Sequence, residues 1–255
     1  MTVLTRRIVT RKSEREVAAM RVAGRIVAEV LTRLEAEVRP GATTGDLDRM
    51  AEEIIRAAGA VPSFKGYRGY PASICVSIGE EVVHGIPGPR RIRDGDLVSV
   101  DAGAIWDGYH GDGARTFMVG DVPARVRQLV DATGRALEAG IAAAQPGRRI
   151  GDISAAIEDV ALTGGFGVVR QYVGHGIGHE MHEEPQVPNF RGPGRGIALA
   201  PGLCLAIEPM LTLGSGEVVL RADGWTVATR DRSLAAHFED TIAITDHGPE
   251  VLTKT

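Results

Sequence analysis

The sequence lacks the long apolar run of a membrane protein. No stretch approaches the roughly 20 apolar residues of a membrane-spanning helix, and the N-terminus has no signal-peptide hydrophobic region. Long basic runs are missing too, because 29 Lys and Arg stand against 33 Asp and Glu, for a net charge of −4. This balance gives no indication of a nucleic-acid partner or an anionic membrane. We therefore expect a cytoplasmic protein, with Arg6, Arg7, Arg11 and Lys12 in a solvated terminus.

Cysteine is scarce, with two residues among 255. Cys75 and Cys204 each lie within an apolar segment, which fits buried, reduced thiols better than a disulfide framework. With 44% apolar and 24% charged residues, the composition is that of a soluble globular protein. The chain is long enough to bury a substantial core.

The helical zinc-protease motif His-Glu-x-x-His is also absent, although one segment comes close to it. Residues 174–185, GHGIGHEMHEEP, hold three histidines and three glutamates. The pair with the required spacing, His175 and His179, encloses two glycines, and each glycine costs a helix roughly 1 kcal/mol relative to alanine. A loop or strand end is therefore predicted, and any metal must find its other ligands elsewhere.

The chain repeats its own plan at an offset of 106 residues. Residues 39–46, RPGATTGD, align with residues 145–152, QPGRRIGD, and the same offset pairs Gly59 with Gly165. Each copy predicts a capped amphipathic helix that ends at glycine, with another helix upstream and strands downstream. The pattern indicates one α+β domain made of two related halves.

We expect the halves to span about residues 13–120 and 121–255, after an N-terminal extension of residues 1–12. In each half a short apolar strand runs into an acid, Asp101 or Glu208. A site is expected where the halves meet, because clefts between packed halves are the usual place for ligands.

The acids of the two halves indicate a bound cation. Carboxylates at close range repel one another and are costly to desolvate, so a cation is expected between Asp101 and Glu208. Asp107-Gly108 is a hairpin turn signal that would fold Asp112 back beside Asp101. Glu239 opens a further strand-like run.

Four carboxylates with one or two histidines suit Mn, Fe, Co or Zn, and paired ions about 3.5–4 Å apart are a known hydrolytic arrangement. Taken singly, an Asp beside glycine is more often a turn residue. A lone His84 or His110 is likewise more often a packed or surface residue than a ligand.

Seven short motifs are spread along the chain. They are GYRGYPASIC (66–75), EEVVHGIP (80–87), DGYHGD (107–112), GHGIG (174–178), HEEP (182–185), IEPM (207–210) and GWTV (224–227). Together they resemble the type I methionine aminopeptidases, from about residue 10 to the end. The resemblance implies the α+β pita-bread fold of creatinase and aminopeptidases, with two pseudo-symmetric halves, a central curved antiparallel sheet and helices on its outer face.

The resemblance also implies metal-dependent removal of N-terminal methionine from nascent or newly made proteins and peptides. A small second residue would be preferred, and a hydroxide bridging two divalent ions (Co, Mn, Fe, Zn or Ni) would attack. The implied metal ligands are Asp101, Asp112, His175, Glu208 and Glu239. The implied catalytic residues are Glu208 and two histidines that also bind substrate, His84 and His182. The implied methionine pocket comprises Tyr67, Tyr70, Cys75, Met181 and Trp225, with Met181 where the family commonly has an aromatic residue.

Two alternatives share the implied fold. A prolidase or proline-specific aminopeptidase would use the same five ligands, but usually carries a further N-terminal domain, for which the sequence before residue 13 is too short. A non-catalytic binding module would have lost ligands, and all five are present. The expected partners are peptides and nascent chains that begin with methionine, and a ribosome contact is left open. A monomer is expected, with His179 as a surface or supporting polar residue.

Overall fold

The computed structural model of the protein describes residues 9–254. Most of the predicted N-terminal extension, residues 1–8 with Arg6 and Arg7, lies outside the described residues. The prediction of a solvated Lys12 is wrong, because its ammonium lies 2.5 Å from a carboxylate oxygen of Glu183 and both side chains are buried. Within the described part of the chain, no helix is both long enough and apolar enough to span a bilayer.

Four α-helices lie in two sequential pairs among the described residues. They are α1 Glu14–Glu35, α2 Thr44–Ala57, α3 Ala124–Ala143 and α4 Ile150–Gly164. A capping box starts α1, since the Ser13 hydroxyl accepts from the backbone of Glu16 and the Glu16 carboxylate accepts from that of Ser13. The same device, with Asp46 reaching back to Thr43, starts α2.

In the described part of the chain, fifteen strands form one large and two small antiparallel sheets. The strands are β1 Val61–Pro62, β2 Ile74–Ile78, β3 Glu81–Val83, β4 Leu97–Trp106, β5 Tyr109–Met118, β6 Gly167–Val168, β7 Gly174–Gly176, β8 Glu183–Val187, β9 Cys204–Ile207, β10 Met210–Thr212, β11 Val218–Leu220, β12 Val227–Thr229, β13 Ala235–His237, β14 Glu239–Thr245 and β15 Gly248–Val251. The large sheet has the order β1-β4-β5-β14-β9-β7-β8, with β2 beside β4 and β15 beside β14. The small sheets have the orders β13-β10-β6 and β11-β12-β3. Helices together with antiparallel sheets confirm the predicted α+β class.

The segments that lead into α2 and α4 are held by equivalent backbone hydrogen bonds. The Gly41 amide donates to the Ile92 carbonyl and the Gly147 amide to the Leu199 carbonyl, both at 2.9 Å. Both α2 and α4 end at a left-handed glycine, with φ of 77° at Gly59 and 66° at Gly165. The predicted capped helices that end at glycine are therefore confirmed.

Each helix pair packs on its own part of the large sheet. One core cluster is drawn from α1, α2, β2 and β4, and a second from α3, α4, β9 and β14. Cys75 and Cys204 are free and buried, as predicted. His175 lies in β7, which confirms a strand rather than a helix for that segment.

One sequence prediction about the strands is wrong. Asp101 does not end its strand, because β4 runs on to Trp106 and pairs with β5 along its whole length. Glu208 does follow the end of β9 directly. The predicted hairpin turn at Asp107-Gly108 is confirmed, since these two residues connect β4 with β5.

Helix α1 crosses the sheet so closely that Gly24 is required there. A methyl group at Gly24 would lie 2.3 Å from the Leu252 carbonyl oxygen, whereas one at Gly134 in α3 would meet nothing closer than 3.8 Å. Helical Gly-to-Ala changes are ordinarily stabilising by roughly 1 kcal/mol. We expect Gly134→Ala to follow this rule and Gly24→Ala to lower the free energy of unfolding by about 1–3 kcal/mol, as overpacking does. Urea unfolding of both variants measures the difference, and equal effects would contradict the close approach.

Candidate metal centre

The β4–β5 hairpin and its neighbour β14 place three of the predicted acids on one face of the large sheet. Asp101 pairs with Ala114, and Ala114 pairs on its other side with Glu239. Asp112 precedes Ala114 by two residues on β5. Because paired residues, and residues two apart in a strand, point to the same face, the three carboxylates project together.

The second half adds two more side chains to that face. Strand β9 ends at Ile207, so Glu208 is the next residue, beyond the paired region. His175 on β7 pairs with Ala206, two residues from Glu208. The antiparallel register therefore brings all five predicted ligands to one region, although they come from four separate segments of the chain.

The donor atoms of these side chains lie close together. One ligand atom each from Asp112, His175 and Glu239 lies within 4.8 Å of the other two. The His175 Nε2 atom is 4.0 Å from Asp112 Oδ2 and 3.6 Å from Glu208 Oε1. Asp101 is outside the group of three but carries a buried oxygen in the same region.

Several of these oxygens have no hydrogen-bond partner within the described residues. They are Oδ1 of Asp101, Oδ1 of Asp112 and Oε1 of Glu239. Buried polar atoms are normally paired, so three orphaned carboxylate oxygens in one place fit the ligand set of a cation. Oxygen donors with one imidazole form a set that several divalent metals accept.

Burial and mutual repulsion disfavour the charged forms of these acids. Burial raises the pKa of Asp101. Burial, then the charges of Asp101 and Glu208, raises the pKa of Asp112 well above its usual range. Burial, then the charges of Asp112 and Glu208, does the same to the pKa of Glu239. A divalent ion would reverse this balance, because its charge favours carboxylates.

His175 is oriented to use its Nε2 atom. Its Nδ1 atom lies 2.9 Å from the Gly176 carbonyl oxygen, which accepts and therefore fixes the proton on Nδ1. The lone pair of Nε2 then faces the carboxylates. Burial lowers the pKa of His175 to about 4, so the ring is neutral at pH 7 and able to bind metal.

All twelve predicted site residues line one cavity of about 150 Å³. They are Tyr67, Tyr70, Cys75, His84, Asp101, Asp112, His175, Met181, His182, Glu208, Trp225 and Glu239. The carboxylates form one end of the wall. A buried apolar cluster that includes Phe64, Tyr70, Cys75 and Met181 forms another part, and the Trp225 ring meets the Tyr70 ring edge-on at 5.0 Å.

His84 and His182 line the cavity but stand outside the group of three donors. The His182 Nδ1 atom is 2.9 Å from the Tyr67 hydroxyl, and its ring centre is 4.2 Å from that of His175. Burial lowers the pKa of His182 to about 3 and that of His84 to about 4. Both rings are therefore neutral at pH 7.

The remaining histidine of the 174–185 segment is on the surface. The side chain of His179 is 74% exposed, with Nδ1 4.0 Å from a Glu180 carboxylate oxygen, and it does not line the cavity. His110 is also outside the cavity, and its Nδ1 lies 2.9 Å from the Ser63 hydroxyl. Two of the three histidines in the segment thus reach the site.

Three residues near the site were missed by the sequence analysis. Phe64 and Arg68 line the cavity, and His237 is 1% exposed with Nε2 3.8 Å from Glu208 Oε2. The spacing of His237 and Glu239 was an available signal, because residues two apart in extended chain share a face. Nothing local in the sequence singled out Phe64 or Arg68.

Known proteins resemble this chain over nearly its whole length. The family model of metallopeptidase family M24 matches residues 18–246. A methionine aminopeptidase of Clostridium acetobutylicum is 52% identical over 243 residues, covering 95% of this chain and 97% of the relative.

Solved structures also resemble this chain over nearly its whole length. A methionine aminopeptidase of Thermotoga maritima has a TM-score of 0.95 and 44% identity, covering 97% of this chain and 100% of its own. A prolidase of Pyrococcus furiosus has a TM-score of 0.78 and 23% identity, with 97% of this chain covering 66% of the prolidase, and so shares the fold. The predicted pita-bread fold is confirmed.

The raised carboxyl pKa values predict how the metal-free protein responds to pH. A folded-state pKa above the unfolded one contributes stability that is complete below about pH 4 and lost as pH rises through the raised value. The buried histidines titrate alike in wild type and in a carboxyl variant, so a comparison of the two isolates the carboxyl effect. Asp112→Asn, which removes one buried charge, should raise the Tm at pH 9 by at least about 2 °C, and by less at pH 5.

Thermal melts in excess chelator at the two pH values measure this gain. The matched control is Asp152→Asn, because the Asp152 carboxylate is only partly buried and accepts from the Arg149 amide at the start of α4. That hydrogen bond lowers the pKa of Asp152, so its contribution is present throughout this pH range and its loss should lower the Tm. If Asp112→Asn lowered the Tm at pH 9 in the same way, the carboxylates would not repel as described.

Proposed function

The chain belongs to metallopeptidase family M24, and from that premise we propose that it removes the N-terminal methionine from peptides and newly made proteins. One observation carries the proposal. The carboxylate and histidine cluster and the apolar recess around Met181 belong to a single cavity. An amino-terminal residue with an apolar side chain can therefore fill the recess while its peptide bond lies beside the cluster.

The metal ligands in this proposal are Asp101, Asp112, His175, Glu208 and Glu239. The three orphaned carboxylate oxygens and the free lone pair of His175 support the assignment. Two divalent ions held there would supply a hydroxide nucleophile at neutral pH, by lowering the pKa of water from about 15.7 toward about 7. Co, Mn, Fe, Zn and Ni all suit such donors, and supply in the cell decides among them.

Glu208 is proposed to move the proton. Its side chain is 14% exposed, and it lines the cavity beyond the end of β9, where it is open to substrate. Burial, then the charge of Asp101, raises the pKa of Glu208 well above its usual range. A carboxylate with raised proton affinity suits a general base that takes a proton from water and returns it to the leaving amine.

His182 and His84 are proposed to bind the scissile amide. A Tyr67 hydroxyl that donates to Nδ1 of His182 leaves the Nε2 hydrogen as the donor for a substrate carbonyl. His84 is held at a left-handed φ of 61° beside the Tyr172 ring, which limits its rotation. Neutral, fixed donors of this kind stabilise the oxyanion of a tetrahedral intermediate.

The apolar recess is proposed to select methionine. Burying a methionine side chain against Tyr70, Cys75 and Met181 contributes roughly 1.5–3 kcal/mol, and the thioether of Met181 is a soft partner for another thioether. A proline-specific enzyme would gain little from a recess for a long, unbranched first side chain. A binding module without catalysis would have no need for the unpaired carboxylates.

We further propose that residues 13–255 act as one catalytic domain and as a monomer, because all the proposed ligands come from a single chain. Nascent chains at the ribosome, in the cytoplasm, would be the natural substrates. No nucleic-acid surface or membrane contact is needed for this activity.

The proposed specificity predicts a simple peptide result. Protein loaded with Mn(II) or Co(II) should release methionine from Met-Ala-Ser with a kcat/KM at least about tenfold above that for Met-Leu-Ser, a difference of about 1.4 kcal/mol in the barrier. Ala-Pro-Ala should not be cleaved. Amino-acid analysis of the products measures this, with chelator-treated protein as the inactive control. Faster cleavage of Ala-Pro-Ala would favour a proline-specific enzyme instead.

The three histidines of residues 174–185 should separate by function. We expect His175→Ala to lose bound metal and activity together. His182→Ala should keep its metal but lose kcat by at least about 100-fold, which is the scale of losing one hydrogen-bond donor to the oxyanion. His179→Ala, at the exposed position, is the matched control and should resemble wild type.

Elemental analysis and steady-state kinetics on the three variants measure these effects. Equal metal loss in all of them would contradict the separate roles.

A further inference from the structure

His237 is a buried histidine that the proposed reaction does not yet use. It ends β13, is 1% exposed, and does not line the cavity. The Thr116 hydroxyl holds its backbone on both sides, accepting from the His237 amide at 2.9 Å and donating to the His237 carbonyl at 2.8 Å. The ring is therefore anchored behind the wall of the cavity.

The Nε2 atom of His237 faces the carboxylates from that position. It lies 3.8 Å from Glu208 Oε2 and 4.0 Å from Glu239 Oε2, and it has no hydrogen-bond partner within the described residues. The other oxygen of Glu208, Oε1, lies 3.6 Å from His175 Nε2. The Glu208 carboxylate thus has one imidazole beside each oxygen.

The chemistry of the two rings differs. His175 presents a lone pair, because its Nδ1 proton is used by the Gly176 carbonyl. A lone pair on His237 Nε2 would point at two carboxylates and be repelled, whereas an Nε2 hydrogen would be attracted by both. The surroundings of His237 therefore favour the Nε2–H form.

We propose that His237 is a positioning residue, whose Nε2–H group faces Glu208 Oε2 at 3.8 Å and, by electrostatic attraction, holds Oε1 toward the cavity. The proposal rests on the proposed function of Glu208. A second contact holds the same residue, since the buried Asn189 side-chain amide donates to the Glu208 carbonyl at 2.9 Å. The backbone and the side chain of Glu208 are then both held by residues that do not line the cavity. Outer partners of this kind commonly orient metal ligands.

The test compares three substitutions at one position. His237→Leu removes the donor, His237→Gln keeps an amide donor at similar reach, and His237→Asn keeps an amide that is one methylene shorter. We expect kcat for Met-Ala-Ser to fall about 10- to 100-fold in the Leu and Asn variants, the usual effect of losing such a partner. The Gln variant should recover most of the turnover, and KM should stay within about threefold in all three.

Metal binding is the readout that does not depend on turnover. Metal-free variants titrated with Co(II), and followed by its visible absorption, should bind the same number of ions as wild type, with the same spectrum. His110→Leu is the matched control, because it removes a buried imidazole that contacts Ser63 outside the cavity. It should leave kcat unchanged, so a fall in kcat there would mean that any buried histidine has this effect.

Three results would overturn the proposal. Unchanged kcat in His237→Leu would make the ring a packing residue. Loss of Co(II) in all three variants would make it a metal ligand. Equal kcat in the Gln and Asn variants would show that the distance of the donor from Glu208 does not matter. This comparison can still be made if the Leu variant does not fold. Wild-type protein that releases no methionine would instead contradict the proposed function.

Discussion

The chemistry of the cavity depends on the burial of four carboxylates at one place. Asp101, Asp112, Glu208 and Glu239 repel one another and lose hydration, so their convergence opposes folding unless protons or cations compensate. The large sheet imposes the convergence, because Asp101, Ala114 and Glu239 are paired across three adjacent strands. Helix packing on the sheet supplies the apolar burial that outweighs the cost. The carboxylate cluster thus destabilises the fold locally, and the packed helices and sheet offset that cost. A bound cation would reduce the repulsion among the carboxylates.

The same burial gives the neighbouring groups their chemical properties. Low solvent access keeps His84 and His175 neutral, and desolvation does the same for the more exposed His182. His175 therefore has a lone pair for metal binding, which an imidazolium ion would lack. It also raises the proton affinity of Glu208, which a general base requires. The apolar recess adjoins the cluster directly, and excluding water there strengthens every electrostatic contact in the cavity. The proposed binding selectivity and the proposed proton transfer would therefore have one physical origin.

The sequence predicted those features that depend on local patterns or on the motifs. Capping residues and terminal glycines gave the helices, and Asp107-Gly108 gave the β4–β5 hairpin that joins Asp101 to Asp112. The family resemblance predicted that His175, Glu208 and Glu239 of the second half belong to the same site. Pairing of β14 with β5 and β9 could not be predicted, because register between distant strands is set by tertiary packing. For that reason the mid-strand place of Asp101 and the burial of His237 behind Glu208 were found only in three dimensions.

Asp101 and Glu208 are not equivalent, because they occupy different positions relative to their strands. Asp101 lies within β4, where pairing on both sides holds its backbone rigid. Glu208 lies just beyond the end of β9, without a partner strand at its own position, and its backbone is held by the side-chain amide of Asn189. An acid fixed by strand pairing suits a permanent ligand, whereas an acid at a strand end has room to exchange a proton. Its orientation must then come from outside the strand, and His237, whose backbone is itself fixed by Thr116, lies where that orientation would be set.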